Sequence, residues 1–185
     1  MNPLLTDGVV CASGQMIRLR PLSADDLANT LAWRNDERSR KWFKSQGLLQ
    51  MDAHISWFRR YSESASPDCM FFAETHDGEA VGQTSVYYFD EANMRAEVGR
   101  FLSAPDLRGK GLFREALILT LDWTFENLGL HEVHLEVFED NERAIRLYES
   151  VGFSRTGSRD GLITMLMPSS ARSSGVEGGG PEFAQ

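Results

Sequence analysis

The sequence predicts a mixed α/β layer fold with the element order βααβββαβαββ. Three observations carry that expectation. Apolar stretches of strand length crowd the region between Cys69 and Leu102, a long amphipathic helix follows, and strand and helix then alternate before two short closing strands. A chain of 185 residues fits one domain, with enough length to bury a core that needs neither disulfides nor metal.

The first strand is read at Met16–Arg20, where apolar and basic residues alternate. Pro21 ends it, and Ser23-Ala24-Asp25-Asp26 has the form of a capping box, flanked by Leu22 and Leu27 as a hydrophobic staple. The helix so started runs toward Trp33. A second helix is predicted over Asp52–Glu63, because His54, Trp57, Phe58 and Tyr61 fall on one face. Strands are expected at about Cys69–Glu74, Ala80–Phe89 and Arg95–Leu102, the first two joined by a turn carrying Asp77-Gly78. Phe113, Leu117, Leu121, Phe125 and Leu128 mark the long helix, which Gly129 stops. His131–Phe138 reads as a strand. Ala144, Leu147, Tyr148 and Val151 define a helix ended by Gly152, and strands at Phe153–Arg159 and Leu162–Met167 complete the order. Residues 1–15 are an N-terminal extension, 16–167 the folded domain, and 168–185 a Ser/Gly-rich tail expected to be disordered.

Hydrophobic residues make up 42% of the chain and charged residues 25%, as in ordinary globular proteins. A net charge of −8 argues against a nucleic-acid partner, though a local basic pocket for a phosphorylated ligand is compatible with it. Cys11 and Cys69 share no metal or redox spacing and read as free thiols of a reducing compartment. No apolar run reaches the roughly 20 residues of a membrane helix. No basic segment followed by an apolar one marks a signal peptide, so a cytoplasmic location is expected.

Arg108-Gly109-Lys110-Gly111 lies between a strand and the long helix. Glycines let a backbone approach a ligand closely, a helix N-terminus presents unpaired N–H groups, and the two basic residues suit phosphates. The segment lacks the GxxxxGK[ST] of a P-loop and completes no dinucleotide fingerprint. By itself it is equally a plain glycine turn. A second segment, Asn141-Glu142-Arg143-Ala144-Ile145-Arg146-Leu147-Tyr148-Glu149-Ser150-Val151-Gly152-Phe153, follows the next strand. Together the two resemble the GNAT superfamily of acetyltransferases. Arg108 and Gly111 match its Arg/Gln-x-x-Gly-x-Gly/Ala motif, and Asn141, Ala144, Tyr148, Gly152 and Phe153 match its Asn-x-x-Ala-x-x-x-Tyr-x-x-x-Gly-Phe motif. Phe113 departs from the pattern, since the family carries Gly or Ala there, and its ring must turn toward the core.

The resemblance covers roughly Ile17 to Leu166. It implies a GNAT fold, with a mostly antiparallel sheet splayed where acetyl-CoA binds and no metal. It implies that Gly109, Lys110, Gly111, Leu112 and Phe113 wrap the pyrophosphate with backbone N–H groups beside Arg108. Phe101 and Leu102 would pair with the pantetheine arm, and Asn141 would hold its amide. Tyr148 is the implied acid for the departing thiolate and sits seven residues beyond Asn141, on the same helix face. Glu97 is the candidate base, with His54, His131 and His134 as alternatives.

For the acceptor, Trp33-Arg34-Asn35-Asp36, Arg40-Lys41-Trp42 and His54-Ile55-Ser56-Trp57-Phe58 resemble two GNAT groups. One acetylates UDP-linked 4-amino sugars of pseudaminic acid synthesis, and the other acetylates ribosomal protein N-termini. The sequence is nearer the first, and antibiotic- and secondary-metabolite-modifying relatives share these motifs. Arg34, Asn35, His54 and Tyr87 are therefore placed on the acceptor side, with a small-molecule amine as the expected partner. Two readings stand beside this one: a peptide N-terminal acetyltransferase, and a non-catalytic acetyl-CoA-binding module. The expected assembly is a monomer or a homodimer.

Overall fold

The computed structural model describes residues 9–64 and 67–173. Its strands are β1 (Ala12–Ser13), β2 (Ile17–Pro21), β3 (Cys69–Thr75), β4 (Ala80–Asp90), β5 (Arg95–Ser103), β6 (Glu132–Phe138), β7 (Ser154–Arg159) and β8 (Leu162–Pro168). The helices are α1 (Leu27–Asn35), α2 (Glu37–Arg40), α3 (Met51–Glu63), α4 (Leu112–Leu128), α5 (Glu142–Ser150) and α6 (Ser170–Ser173). One eight-stranded sheet has the order β1-β2-β3-β4-β5-β6-β8-β7, antiparallel throughout except for β5 against β6.

Strand β3 explains the layering. Its first six residues are all buried, so both of its faces are covered, as a central strand requires. Phe71 meets Trp123 of α4 edge-on at 4.9 Å, while Phe72, pointing the other way, stacks on Trp33 of α1 at 5.7 Å. Burial of each such ring contributes on the order of 1.5–3 kcal/mol. The start of α1 is fixed by charge as well as packing. The backbone N–H and hydroxyl of Ser23 both donate to Asp26 Oδ2 at 2.8 Å, and Arg20 clamps the same carboxylate through two bonds of 2.7 Å. Leu22 and Leu27, the expected staple, are both buried.

Several expected boundaries move. Ala12–Ser13 pair with β2, so the sheet begins inside the segment read as an extension. A one-turn helix, α2, had no periodic signal; Asp36 caps it by accepting from the Arg38 N–H at 3.0 Å. Pro168 ends β8 and Ser170–Ser173 form α6, with Arg172 bonded to Asp122, so the tail is structured to that point. Residues 174–185 and 1–8 lie outside the described residues. Among the described residues no helix is long and apolar enough to cross a membrane.

Candidate active site

The cleft arises from a failure of pairing. Strands β5 and β6 run side by side only from Arg95/Glu132 to Glu97/His134, yet β5 continues to Ser103 and β6 to Phe138. Beyond Glu97 the two strands diverge and expose their facing edges. On its other side β5 carries a bulge: Ser85 opposes Gly99 and Gln83 opposes Leu102, so Thr84 faces two residues. Arg100, in the bulge, has φ +51°, a left-handed conformation uncommon for a residue with a side chain. The carbonyls displaced there are satisfied by β4 side chains. Ser85 Oγ donates to Gly99 O at 2.8 Å and Gln83 Nε2 to Arg100 O at 3.1 Å.

The cleft between the splayed strands has a volume of about 1190 Å³ and contains Glu97, Phe101, Gly109, Gly111, Asn141 and Tyr148 among its walls. At one end lies the glycine loop. Gly109 and Gly111 have φ +85° and +82°, and a Cβ at Gly109 would meet nothing within 4 Å. Gly111 is the residue before the 17-residue helix α4, whose first N–H groups thus face the cleft end. Open space beside left-handed glycines at a long helix N-terminus fits a pyrophosphate. Arg114, Arg143 and Arg146 also line the cleft.

Not every residue of the loop faces inward. Lys110 is exposed and Leu112 half-buried, and neither lines the cleft. Arg108 does line it, but its donors are committed to the protein. Nε bonds Ser103 Oγ at 3.2 Å, Nη2 bonds Ser39 Oγ at 2.7 Å, and Nη1 lies 3.7 Å from Asp36. It therefore ties α2 to the end of β5. The Phe113 ring turns inward, as expected, meeting Phe101 edge-on at 6.1 Å and lying over Gly82.

Helix α5 supplies the other wall. Asn141 caps it, its side-chain oxygen accepting from the Ala144 N–H at 3.3 Å, which leaves the side-chain amide N–H groups to address a ligand. Two turns later Tyr148 is 9% exposed, its ring between Phe101 at 5.7 Å and Phe153 at 6.1 Å. Its hydroxyl bonds to no described residue, and burial pushes the phenol well above the ordinary tyrosine range, so the proton is in place at neutral pH.

Glu97 stands where β5 and β6 part, half-buried rather than fully buried. Tyr87 donates to its Oε1 at 2.6 Å, and the Arg100 guanidinium lies 3.9 Å over the Tyr87 ring. Burial, together with that bond to Glu97, raises the Tyr87 phenol far above its usual range. Arg34 also reaches the cleft. The remaining acceptor-side candidates do not. Asn35 bridges the backbone N–H and C=O of Leu49, both at 2.9 Å, and so fastens the loop before α3. His54 is buried against Thr30 Oγ1 at 2.9 Å, and burial lowers its pKa. Leu102 is buried and, like His54, lines a separate cavity beneath α3. Sequence reasoning missed Tyr88 and Lys44 on the cleft wall, where Trp42 of the Arg40-Lys41-Trp42 motif also stands; nothing in the sequence marked Tyr88, which the structure leaves 69% exposed. Among the described residues no group of three His, Cys, Asp or Glu side chains is arranged to hold a metal.

Comparison with known proteins agrees with this architecture. Residues 17–154 match the family model described as an acetyltransferase (GNAT) domain. Spermidine N(1)-acetyltransferase of Escherichia coli is 30% identical over 149 residues, spanning 78% of this chain and 76% of that protein. An uncharacterized protein of Methanocaldococcus jannaschii is 30% identical over 141 residues, 76% of this chain, and the chain spans 28% of its length. Among solved structures, spermidine N-acetyltransferase of Vibrio cholerae in complex with CoA and spermine superposes with a TM-score of 0.75. It is 23% identical and covers 84% of this chain and 96% of that one. With the family model covering three quarters of its length, the chain belongs to the GNAT acetyltransferase family.

Proposed function

We propose that this protein transfers the acetyl group of acetyl-CoA to a primary amine of a small molecule. The observation that carries the reading is Tyr148: a buried ring whose hydroxyl has no partner among the described residues and sits in the cleft wall between the splayed strands. Acetyl-CoA brings an acetyl thioester, which an amine attacks once it has lost a proton. Glu97, held by Tyr87, is the carboxylate at the branch of β5 and β6 that accepts that proton, directly or through water. Tyr148 supplies the proton for the departing sulfur. Backbone N–H groups at Gly109, Gly111 and Phe113 and the side-chain amide of Asn141 position the thioester donor.

The acceptor end carries Arg34, Lys41, Lys44 and Arg100 against Glu97 and Glu136, and Lys44 pairs with Glu136 at 2.9 Å. With Arg100 also paired, to Asp68, Arg34 and Lys41 are the cations of this wall with no ion pair among the described residues, and they favour an amine whose scaffold also bears negative charge, as a nucleotide-linked amino sugar does. A polyamine is the second reading, favoured by the relatives named as spermidine acetyltransferases. It would engage Glu97 and Glu136. The test is acetyl-CoA turnover against spermidine, nucleotide-linked amino sugars and N-terminal peptides, with product mass as the readout. A product of added acetyl mass on an anionic amine supports the first reading, on spermidine the second. Absence of any acetylated amine would leave a binding module.

A further inference from the structure

Beside the cleft, and separate from it, lies a second cavity of about 420 Å³ beneath α3. Its lining is mostly apolar, with Phe43, Leu49, Trp57, Met70 and Leu102 on its walls. The charged residues on it are Arg34, Arg60 and Arg100, and no carboxylate lines it. Their charges are not equally balanced. Arg100 pairs with Asp68 at 3.1 Å, and Arg60 stands exposed at the rim. Arg34 is 8% exposed and has no ion pair among the described residues. One of its nitrogens bonds the Ser45 carbonyl, its guanidinium lies 4.0 Å over the Phe43 ring, and Nη1 is buried with no partner at all. In the same lining Gln83 buries an unpartnered Oε1, its amide nitrogen being held by Arg100 O.

Buried polar atoms are almost always bonded, and a buried cation without an anion is costlier still. Of the two such atoms in this wall, Gln83 Oε1 is an acceptor that calls for a donor, whereas the Arg34 guanidinium calls for an anion, which the protein does not supply among the described residues. We propose that this cavity binds a small apolar carboxylate. The apolar walls take the body, the carboxylate offsets the Arg34 charge, and rotation about the last side-chain bonds brings Nη1 onto a carboxylate oxygen. Arg34 and Phe43 also line the cleft, so an occupant would brace the acceptor wall from behind. Two sources share this chemistry: an independent carboxylate, or a carboxylate arm of the acceptor itself.

The proposal is separable from acetyl transfer because binding alone tests it. Phenylacetate and its neutral counterpart phenylacetamide are titrated into the full chain by calorimetry, with CoA present in excess to occupy the cleft. Phenylacetate is expected to bind one site at least roughly tenfold more tightly than phenylacetamide, the worth of one bond to a charged group. Arg34→Met should remove that difference, and Gln83→Leu should retain it. Equal binding of the two probes, no binding of either, or a preference that survives Arg34→Met in folded protein would overturn the site. Should Arg34→Met fail to fold, the comparison of the two probes on the unaltered chain still decides. The source follows from para-aminomethylbenzoate and benzylamine as acceptors. Preferential acetylation of the first assigns the cavity to the acceptor, and equal rates assign it to a separate molecule.

Discussion

The hydroxyl of Tyr87 lies 2.6 Å from Glu97 Oε1 and occupies a notch that exists because residue 99 is glycine. A Cβ on Gly99 would sit 2.5 Å from that hydroxyl. Gly99→Ala should therefore push the phenol off the carboxylate, lowering stability by about 1–3 kcal/mol as overpacking does and lowering turnover with it. Tyr87→Phe separates the two effects. It should cost roughly 1 kcal/mol in urea unfolding and still reduce kcat, with the KM for acetyl-CoA unchanged. Full turnover in Tyr87→Phe would make the pair purely structural.

At the glycine loop, crowding is not the constraint: a Cβ on Gly111 would come no closer than 4.0 Å to Met16. The constraint is φ, at +82°. A β-branched residue there is strained by about 1–2 kcal/mol and will rebuild the loop. Gly111→Val should raise the KM for acetyl-CoA roughly tenfold or more while the protein stays folded. Calorimetry showing unaltered acetyl-CoA binding would remove the loop from the site.

Phe113 meets a different limit. Its ring lies where a Cβ on Gly82 would be, 2.8 Å away, and the Leu102 carbonyl is 2.5 Å from the same point. Because one of these obstacles is backbone, Gly82→Ala should destabilise by about 1–3 kcal/mol and displace the Phe113 ring against Phe101. Thermal unfolding tests the first effect, and a raised KM for acetyl-CoA the second. An alanine variant as stable as the parent would mean that β4 and β5 shift apart freely.

These contacts mark the limit of what could be read from sequence. The glycine loop and the Gly129 and Gly152 helix stops were legible because each depends on local backbone chemistry, whereas the capping role of Asn141 came only from the structure. Phe113 was legible as an inward ring, but its partner Gly82 was not, since strand register decides that contact. The same holds for Arg108, whose ties to Ser39 and Asp36 cross 69 residues and more. His54 and Asn35 carry polar groups that suggest a ligand. Folding instead gives them Thr30 and the Leu49 backbone as partners. One-turn α2 has no period to detect, and the splay of β5 from β6 was expected from the family resemblance alone, since no local residue pattern marks it.

Acid should expose the Arg20–Asp26 clamp. Burial pushes the Asp26 carboxyl upward, but bonds from Arg20 and Ser23 outweigh it and hold the group below its ordinary value. A depressed carboxylate stabilises the fold above its unfolded pKa, about 4, and loses that contribution as pH falls through the lower folded value. Wild-type stability in urea should thus fall steeply below about pH 4. Asp26→Asn, less stable at neutral pH by about 3 kcal/mol, should show a shallower decline. Parallel curves would mean that the clamp contributes nothing.

Acetyl transfer through Tyr148 is tested most directly by removing one oxygen atom. Tyr148→Phe keeps the ring against Phe101 and Phe153 and deletes only a hydroxyl that bonds to no described residue. Stability and acetyl-CoA affinity should therefore stay near their original values. Turnover with a saturating amine, under conditions where chemistry limits the rate, should fall by roughly 10²–10⁴-fold, the usual worth of a general acid. Undiminished turnover in Tyr148→Phe would contradict that assignment and make Tyr148 a core aromatic at the edge of the cleft.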